Sequence, residues 1–242
     1  ATEAYRTALV LDPSDAVLRR ELAWLDARAK GAGDQGIGDP DEFWKPWQVD
    51  AARLIPGSPR RKDLPTSSVV YLLDQAVVRL NPDGSYSEYI HQVVKILNER
   101  GVDEYDKVNI EGEILEARTF APDGSILEPV VIPRERELTM PRVTEGSVID
   151  YAFRRLSRGR PSGRFSYTNF YFQDPNFDGT FLVSELVVLA PQGFPLRVAE
   201  VNLDRPAQKS EQGGMVVYRW RVEDAPHNEP EGHMPHFRTL LP

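Results

Sequence analysis

Asp174, Asn176 and Asp178 alternate ahead of Gly179, and Glu185 follows the glycine by six residues. The run Asp174-Pro175-Asn176-Phe177-Asp178-Gly179, closed by Glu185, satisfies the calcium-loop pattern D-x-[DN]-x-[DN]-G-x5-E. Its chemistry would be capture of a hard divalent cation, with oxygen ligands on a tight glycine turn and one bidentate carboxylate. The flanks, Tyr167 to Phe172 and Phe181 to Leu189, read as strands where a helix–loop–helix site needs helices. An extended chain would also carry Glu185 away from the loop. An acidic turn between strands is therefore the favoured reading, and no cofactor is expected, with calcium as the alternative that this loop offers.

A second grouping is basic. Arg154, Arg155, Arg158, Arg160 and Arg164 surround Gly159, Pro161 and Gly163, so that a hairpin tip would present a cluster of guanidinium groups. Such a tip can grip a phosphate or a carboxylate-rich partner. The plainer alternative is a solvated loop that blunts a sheet edge. His227, His233 and His236 lie near the end of the chain with Glu229 and Glu231, a set able to bind zinc or nickel. Pro226, Pro230 and Pro235 favour a solvated Pro-rich segment there. His91 stands alone in the apolar run Tyr89 to Leu97 and reads as a satisfied sheet histidine.

Nucleophilic catalysis finds little to work with. The 242 residues contain no cysteine, which removes thiol nucleophiles, disulfides and thiolate metal sites. No G-x-S-x-G elbow and no phosphate-cradling glycine motif occurs. A net charge of -8 argues against broad nucleic-acid binding, which needs a basic face. With 27% charged residues and strand-sized apolar runs such as Val69 to Leu73, the composition is that of a globular chain without a membrane helix. No catalytic residue is expected from this chain. Its start at Ala1, without Met or a signal pattern, reads as a piece of a longer protein.

The elements that must hold these groups change character along the chain. Over residues 1–29 the period is helical: Tyr5, Ala8 and Leu9 share a face, as do Leu18, Leu22, Leu25 and Ala29, with Asp15 placed to cap the second helix. Ala1, Tyr5, Ala8 and Pro13 resemble the signature spacing of a tetratricopeptide repeat, so this α-hairpin is expected to end such an array. Residues 30–66 are rich in Gly and Pro and read as a linker, although Trp44 and Trp47 are expected to pack onto the next domain and residues 49–55 to form a short helix. From residue 67 the period is two. Strands are expected over 67–74, 75–81, 86–98, 105–111, 113–121, 164–172, 181–190 and 194–202, with further ones around Ile149 to Phe153 and Val216 to Val222. Asn81-Pro82-Asp83-Gly84 and Ala121-Pro122-Asp123-Gly124 are turn sequences between such runs. The predicted fold over 67–242 is mainly β, an antiparallel sandwich of immunoglobulin-like or related type.

Several blocks together are similar to a known family: Val69 to Asp74, Val77 to Gly84, His91 to Gly101, Arg118 to Ile126, Met140-Pro141, Glu145 to Tyr151 and Met234-Pro235. Over residues 60–242 the chain resembles the bacterial family of unknown function that precedes transglutaminase-like domains in often envelope-associated proteins. The resemblance implies a β-sandwich beside a papain-like catalytic domain, which would follow Pro242 and supply the cysteine that this chain lacks. It also implies an extracytoplasmic, periplasmic location and a protein partner, and it assigns no catalytic residue here. A non-catalytic module that positions or gates that enzyme, or binds its protein substrate, is the expected function. The alternative is a calcium- or carbohydrate-binding adhesin-like sandwich, which the 174–185 loop and exposed Tyr167, Tyr171 and Phe172 would serve.

Overall fold

The structure, a computed structural model, describes residues 2–11, 15, 18, 19, 22, 42–82, 84–132, 136–157, 167, 170–173 and 179–225. Helix α1 spans Thr2–Leu11, and Asp15 Oδ1 accepts the Leu18 N–H at 3.1 Å as a helix cap does. Most of the expected second repeat helix lies outside the described residues, and a tetratricopeptide hairpin is not established by α1 alone.

The body is mainly β. Ten strands occur among the described residues: β1 (Val69–Leu80), β2 (Tyr86–Ile96), β3 (Lys107–Asn109), β4 (Glu113–Phe120), β5 (Ile126–Leu127), β6 (Glu137–Thr139), β7 (Val148–Ser157), β8 (Gly179–Pro191), β9 (Gln208–Gln212) and β10 (Met215–Ala225). Eight form one sheet in the order β5-β4-β7-β2-β1-β8-β10-β9, and β3 pairs separately with β6. The expected antiparallel arrangement holds at every junction of the large sheet but one. The central strands β1 and β8 run parallel, which makes the sheet mixed. Parallel neighbours need a long crossover, and here six strands and a helix supply it, so the absence of crossover helices in the sequence did not reveal the pairing.

β1 is buried along its whole length, as suits a central strand covered on both faces. It is one strand where a break after Asp74 was expected. Asp74 and Gln75 stay within the ladder because each finds polar partners across the sheet: Asp74 accepts from Gln92 at 2.7 Å and Ser184 at 3.1 Å, and Gln75 donates to Glu185 at 2.7 Å. A bulge between Tyr71 and Leu73 re-aims the chain.

One face of the sheet carries Val69, Tyr71, Val94, Ile96, Ile149 and Phe153, packed under Tyr105, Val108, Ile110, Leu138 and Met140. Those covering residues come from β3 and β6, from the residue that follows each, and from α2 (Glu99–Tyr105), a helix absent from the sequence-based expectation. Asn98 caps α2 by accepting the Gly101 N–H at 3.2 Å. Gly101 lets the helix touch the sheet: a Cβ there would stand 2.5 Å from the Ser68 carbonyl oxygen and 2.9 Å from Val69 Cγ1.

The other face is covered by residues 42–66, the expected linker. Phe43 and Trp44 pack on Val77, Tyr89, Ala152, Val187 and Leu189, while Ala51 sits on Val70, Leu72, Leu73, Val93 and Val148. Trp44 stacks on Tyr89 at 5.4 Å with an interplanar angle of 5°, and Gln75 Nε2 donates to the Trp47 carbonyl at 3.0 Å. The helix expected over 49–55 is a single 3-10 turn, Ala51–Arg53, capped by Asp50.

Two further expectations are corrected. Residues 194–202 form no strand; Phe194 and Leu196 instead pack as irregular chain beside Trp220. The strand lies later, in β9, whose five residues are all exposed and polar and so carry no apolar period. The described positions of the 164–172 stretch are likewise not strand.

The turn joining β4 to β5 follows its sequence, with Gly124 at φ 85°. Asp123 there accepts from the Ser125 hydroxyl at 2.6 Å and from Arg142 at 3.0 Å. These bonds, the hydroxyl first, lower its carboxyl from the ordinary 3.8 to about 2. A depressed folded value means that its stabilisation is complete above the ordinary value and is lost as pH falls toward the folded one. Ser125→Ala is expected to move Asp123 back toward 3.8 in an NMR titration; an unmoved titration would refute this account of the turn.

Candidate functional site

Polar side chains concentrate at three places in the sheet. On the face covered by residues 42–66, Asp150 is fully buried and accepts from His91 Nε2 at 2.8 Å and from Arg118 Nε at 2.8 Å. Arg118 also reaches Glu116 at 2.7 Å. Burial, and next the Asp150 charge, push the Glu116 carboxyl upward. The same two causes raise the Tyr89 phenol far above its ordinary range. A histidine held by an aspartate is the base-and-orienter pair of nucleophilic hydrolases. Here the ring is 1% exposed and its Nδ1 has no hydrogen-bond partner. The group therefore acts as a buried cross-link between β2, β7 and β4; the histidine expected to be satisfied in the sheet is satisfied at Nε2 and not at Nδ1.

Further along that face Glu185, 2% exposed, accepts from Gln75, from Arg219 at 2.5 Å and from Arg221 at 3.3 Å. This ties β1, β8 and β10 together. The predicted calcium ligands Asp174, Asn176 and Asp178 lie outside the described residues; Glu185 belongs to this arginine cluster. On the opposite face Glu88 accepts from Arg155 and from the Tyr167 hydroxyl, and burial above all, then Glu88, raises the Tyr167 phenol.

The predicted arginine tip is split. Arg154 pairs with Glu113 at 2.6 Å and lies 5.5 Å over the Trp44 ring. Arg155 holds Glu88 and Glu111. Arg158, Arg160 and Arg164 lie outside the described residues, as do His227, His233 and His236. Among the described residues no group of three or more metal-ligating side chains is gathered. No helix among them is long and apolar enough to cross a membrane. Of the aromatics expected to be exposed for a sugar platform, Phe172 is instead buried at 3% exposure, and the Tyr167 hydroxyl donates to Glu88.

Sequence reasoning noted Arg60-Arg61-Lys62 only as a basic run and passed over Lys95. The structure brings them to one cleft between residues 55–63 and the ends of β2, β4 and β7. Lys95 Nζ donates to Ser58 Oγ at 2.7 Å and the Ser58 carbonyl at 3.3 Å. Alternation in β2 was the available signal, since Val94 and Ile96 point into the opposite core. At the β4–β5 end a different surface stands out, where Ile126, Val130, Val131 and Ile132 are all exposed.

The fold resembles part of several solved structures. A candidate protease from Parabacteroides distasonis ATCC 8503 matches with a TM-score of 0.56 at 15% identity, over 69% of this chain and 38% of that one. Legionella pneumophila aminopeptidase A, solved with aspartic acid, gives a TM-score of 0.38 at 10% identity over 69% of this chain and 21% of its own. An M1 zinc metallopeptidase from Deinococcus radiodurans gives 0.33 at 12% identity over 64% and 39%. The chain thus spans well under half of each of these proteins. No curated protein matches it. Residues 133–228, from just before β6 to just past β10, match the family described as a domain of unknown function with a solved structure, DUF3857.

Proposed function

We propose that the chain is a non-catalytic accessory and interaction module that positions or gates a neighbouring transglutaminase-like, papain-fold domain, or binds that domain's protein substrate. The observation that carries this reading is the apolar strip at the β4–β5 end. Ile126, Val130, Val131 and Ile132 are 57%, 84%, 53% and 51% exposed, within seven consecutive positions of chain. Contiguous exposed apolar surface marks an interface, and the far edge of the sheet, β9, is polar along its whole length. The occupant is another domain of the same protein. The shared fold takes in 69% of this chain but 38% of the candidate protease, as suits a module carried beside something larger. In this reading the large sheet, with β3–β6 and α2 laid on one face, is the support of a sandwich-like module working in an extracytoplasmic compartment.

The double variant Val131→Asp/Ile132→Asp tests it. Its affinity for the neighbouring domain encoded in the same reading frame is expected to fall at least about tenfold, because each charge would be desolvated at the contact. Its own melting temperature is expected to stay within about 2 °C, since exposed substitutions change stability little. Undiminished affinity in a titration would overturn the proposal.

A further inference from the structure

We propose that the cleft between residues 55–63 and the end of β2 binds the free terminal carboxylate of a peptide whose last side chain is apolar. The cleft has two adjoining parts that share Ile55, Arg60 and Lys95. One, of about 400 Å³, is basic, with Arg60, Lys62 and Lys95 facing Asp63. The other, of about 480 Å³, is lined by Leu97, Phe120, Pro122 and Val148 and rimmed by Arg61 and Glu145.

The charges do not balance within the cleft. Glu145 is taken by Arg61 at 3.2 Å, and the Asp63 carboxylate accepts the Arg60 backbone N–H at 2.9 Å. Lys95 donates to the hydroxyl and carbonyl of Ser58, both neutral acceptors. Burial first, and then the Arg60 charge, lower its pKa, with Asp63 opposing only in part. Two cations are thus held close together at a concave site, the arrangement that an incoming anion relieves.

The apolar part narrows the ligand. Inorganic phosphate would use the basic part and leave the apolar one uncovered. A peptide's terminal residue carries its carboxylate and its side chain on one Cα, so the two reach adjoining parts together. Arginine takes a carboxylate through two parallel hydrogen bonds, and lysine adds a point charge. This inference does not depend on the accessory role, because the cleft and the apolar strip involve different residues.

Calorimetric titration of the chain with N-acetyl-Ala-Ala-Phe, with its C-terminal amide and with inorganic phosphate, at low ionic strength, tests it. The free acid is expected to bind at least about tenfold more tightly than the amide, the size of one charge-assisted bond. Phosphate is expected to bind more weakly than the acid. Arg60→Ala, at an exposed position, should weaken the acid at least about tenfold, and Lys95→Met should do the same while its melting curve reports folding. Equal binding of acid and amide, equal binding of phosphate, no binding of the acid, or an unchanged Arg60→Ala variant would each overturn the proposal.

Discussion

Asp150→Ala is expected to lower the unfolding free energy by roughly 3–5 kcal/mol, and the melting temperature by roughly 10 °C for a chain of this size. Asp150 is fully buried, and its two oxygens serve His91 and Arg118. Removing it leaves the buried His91 imidazole without its acceptor and the Arg118 guanidinium with Glu116 as its remaining anion. The neutral substitute Asp150→Asn keeps the shape and one acceptor, so its loss should be smaller. Adding His91→Leu to Asp150→Ala should recover part of the stability, because an apolar pair of similar volume avoids the desolvation that makes a broken buried pair expensive. Urea melts of the three variants measure this. A loss for Asp150→Ala below about 1 kcal/mol, the scale of an exposed ion pair, would show that water reaches the cluster and that the cross-link reading is wrong.

Phe43→Ala is expected to cost about 3–5 kcal/mol, the range for deleting a fully buried aromatic side chain. Phe43 has no exposed surface and meets Trp44 edge-on at 5.2 Å. Trp44 in turn covers Tyr89 and receives the Arg154 guanidinium. Trp44→Ala should therefore lose a similar amount, and the two losses should not add, because the rings share one contact surface. Denaturant melts decide the matter. If both variants melted with the parent, residues 42–66 would be a tether lying on the sheet without supporting it.

How much of this was legible in the sequence depended on whether a segment's partner was close in the chain. The β1–β2 and β4–β5 turns were readable because Asn81-Pro82 and Pro122-Asp123-Gly124 carry their geometry locally, and Val216 to Val222 showed its alternation plainly. Trp44 and Trp47 betrayed a packed segment by being too costly to leave in water. Helix α2 was missed because Gly101, a poor helix residue, sits inside it; its reason is the contact with Ser68 and Val69, which no local pattern shows. β9 was missed because both of its faces are wet. The parallel β1–β8 pair was invisible, since register between distant strands leaves no periodic trace. The basic cleft was half legible: Arg60-Arg61-Lys62 announced charge, but only the folded chain brings Lys95 beside it. Glu185 fitted a cation motif by spacing, while its contacts are with Gln75, Arg219 and Arg221, residues far away in the chain.

The central position of β1 and β2 bears on what the stretch 133–228 can be by itself. That stretch holds β7 and β8, which flank the β2–β1 hairpin and never touch each other in the ladder. A polypeptide limited to those residues would have two unzipped borders where its middle should be, each a row of amide and carbonyl groups open to any passing strand. The hairpin made early in synthesis is thus a wedge that waits for its two neighbours to arrive, β7 against β2 and then β8 against β1. The cooperative unit of this protein is consequently broader than its recognisable signature. Where that signature occurs elsewhere, the residues ahead of it are the place to look for the missing hairpin.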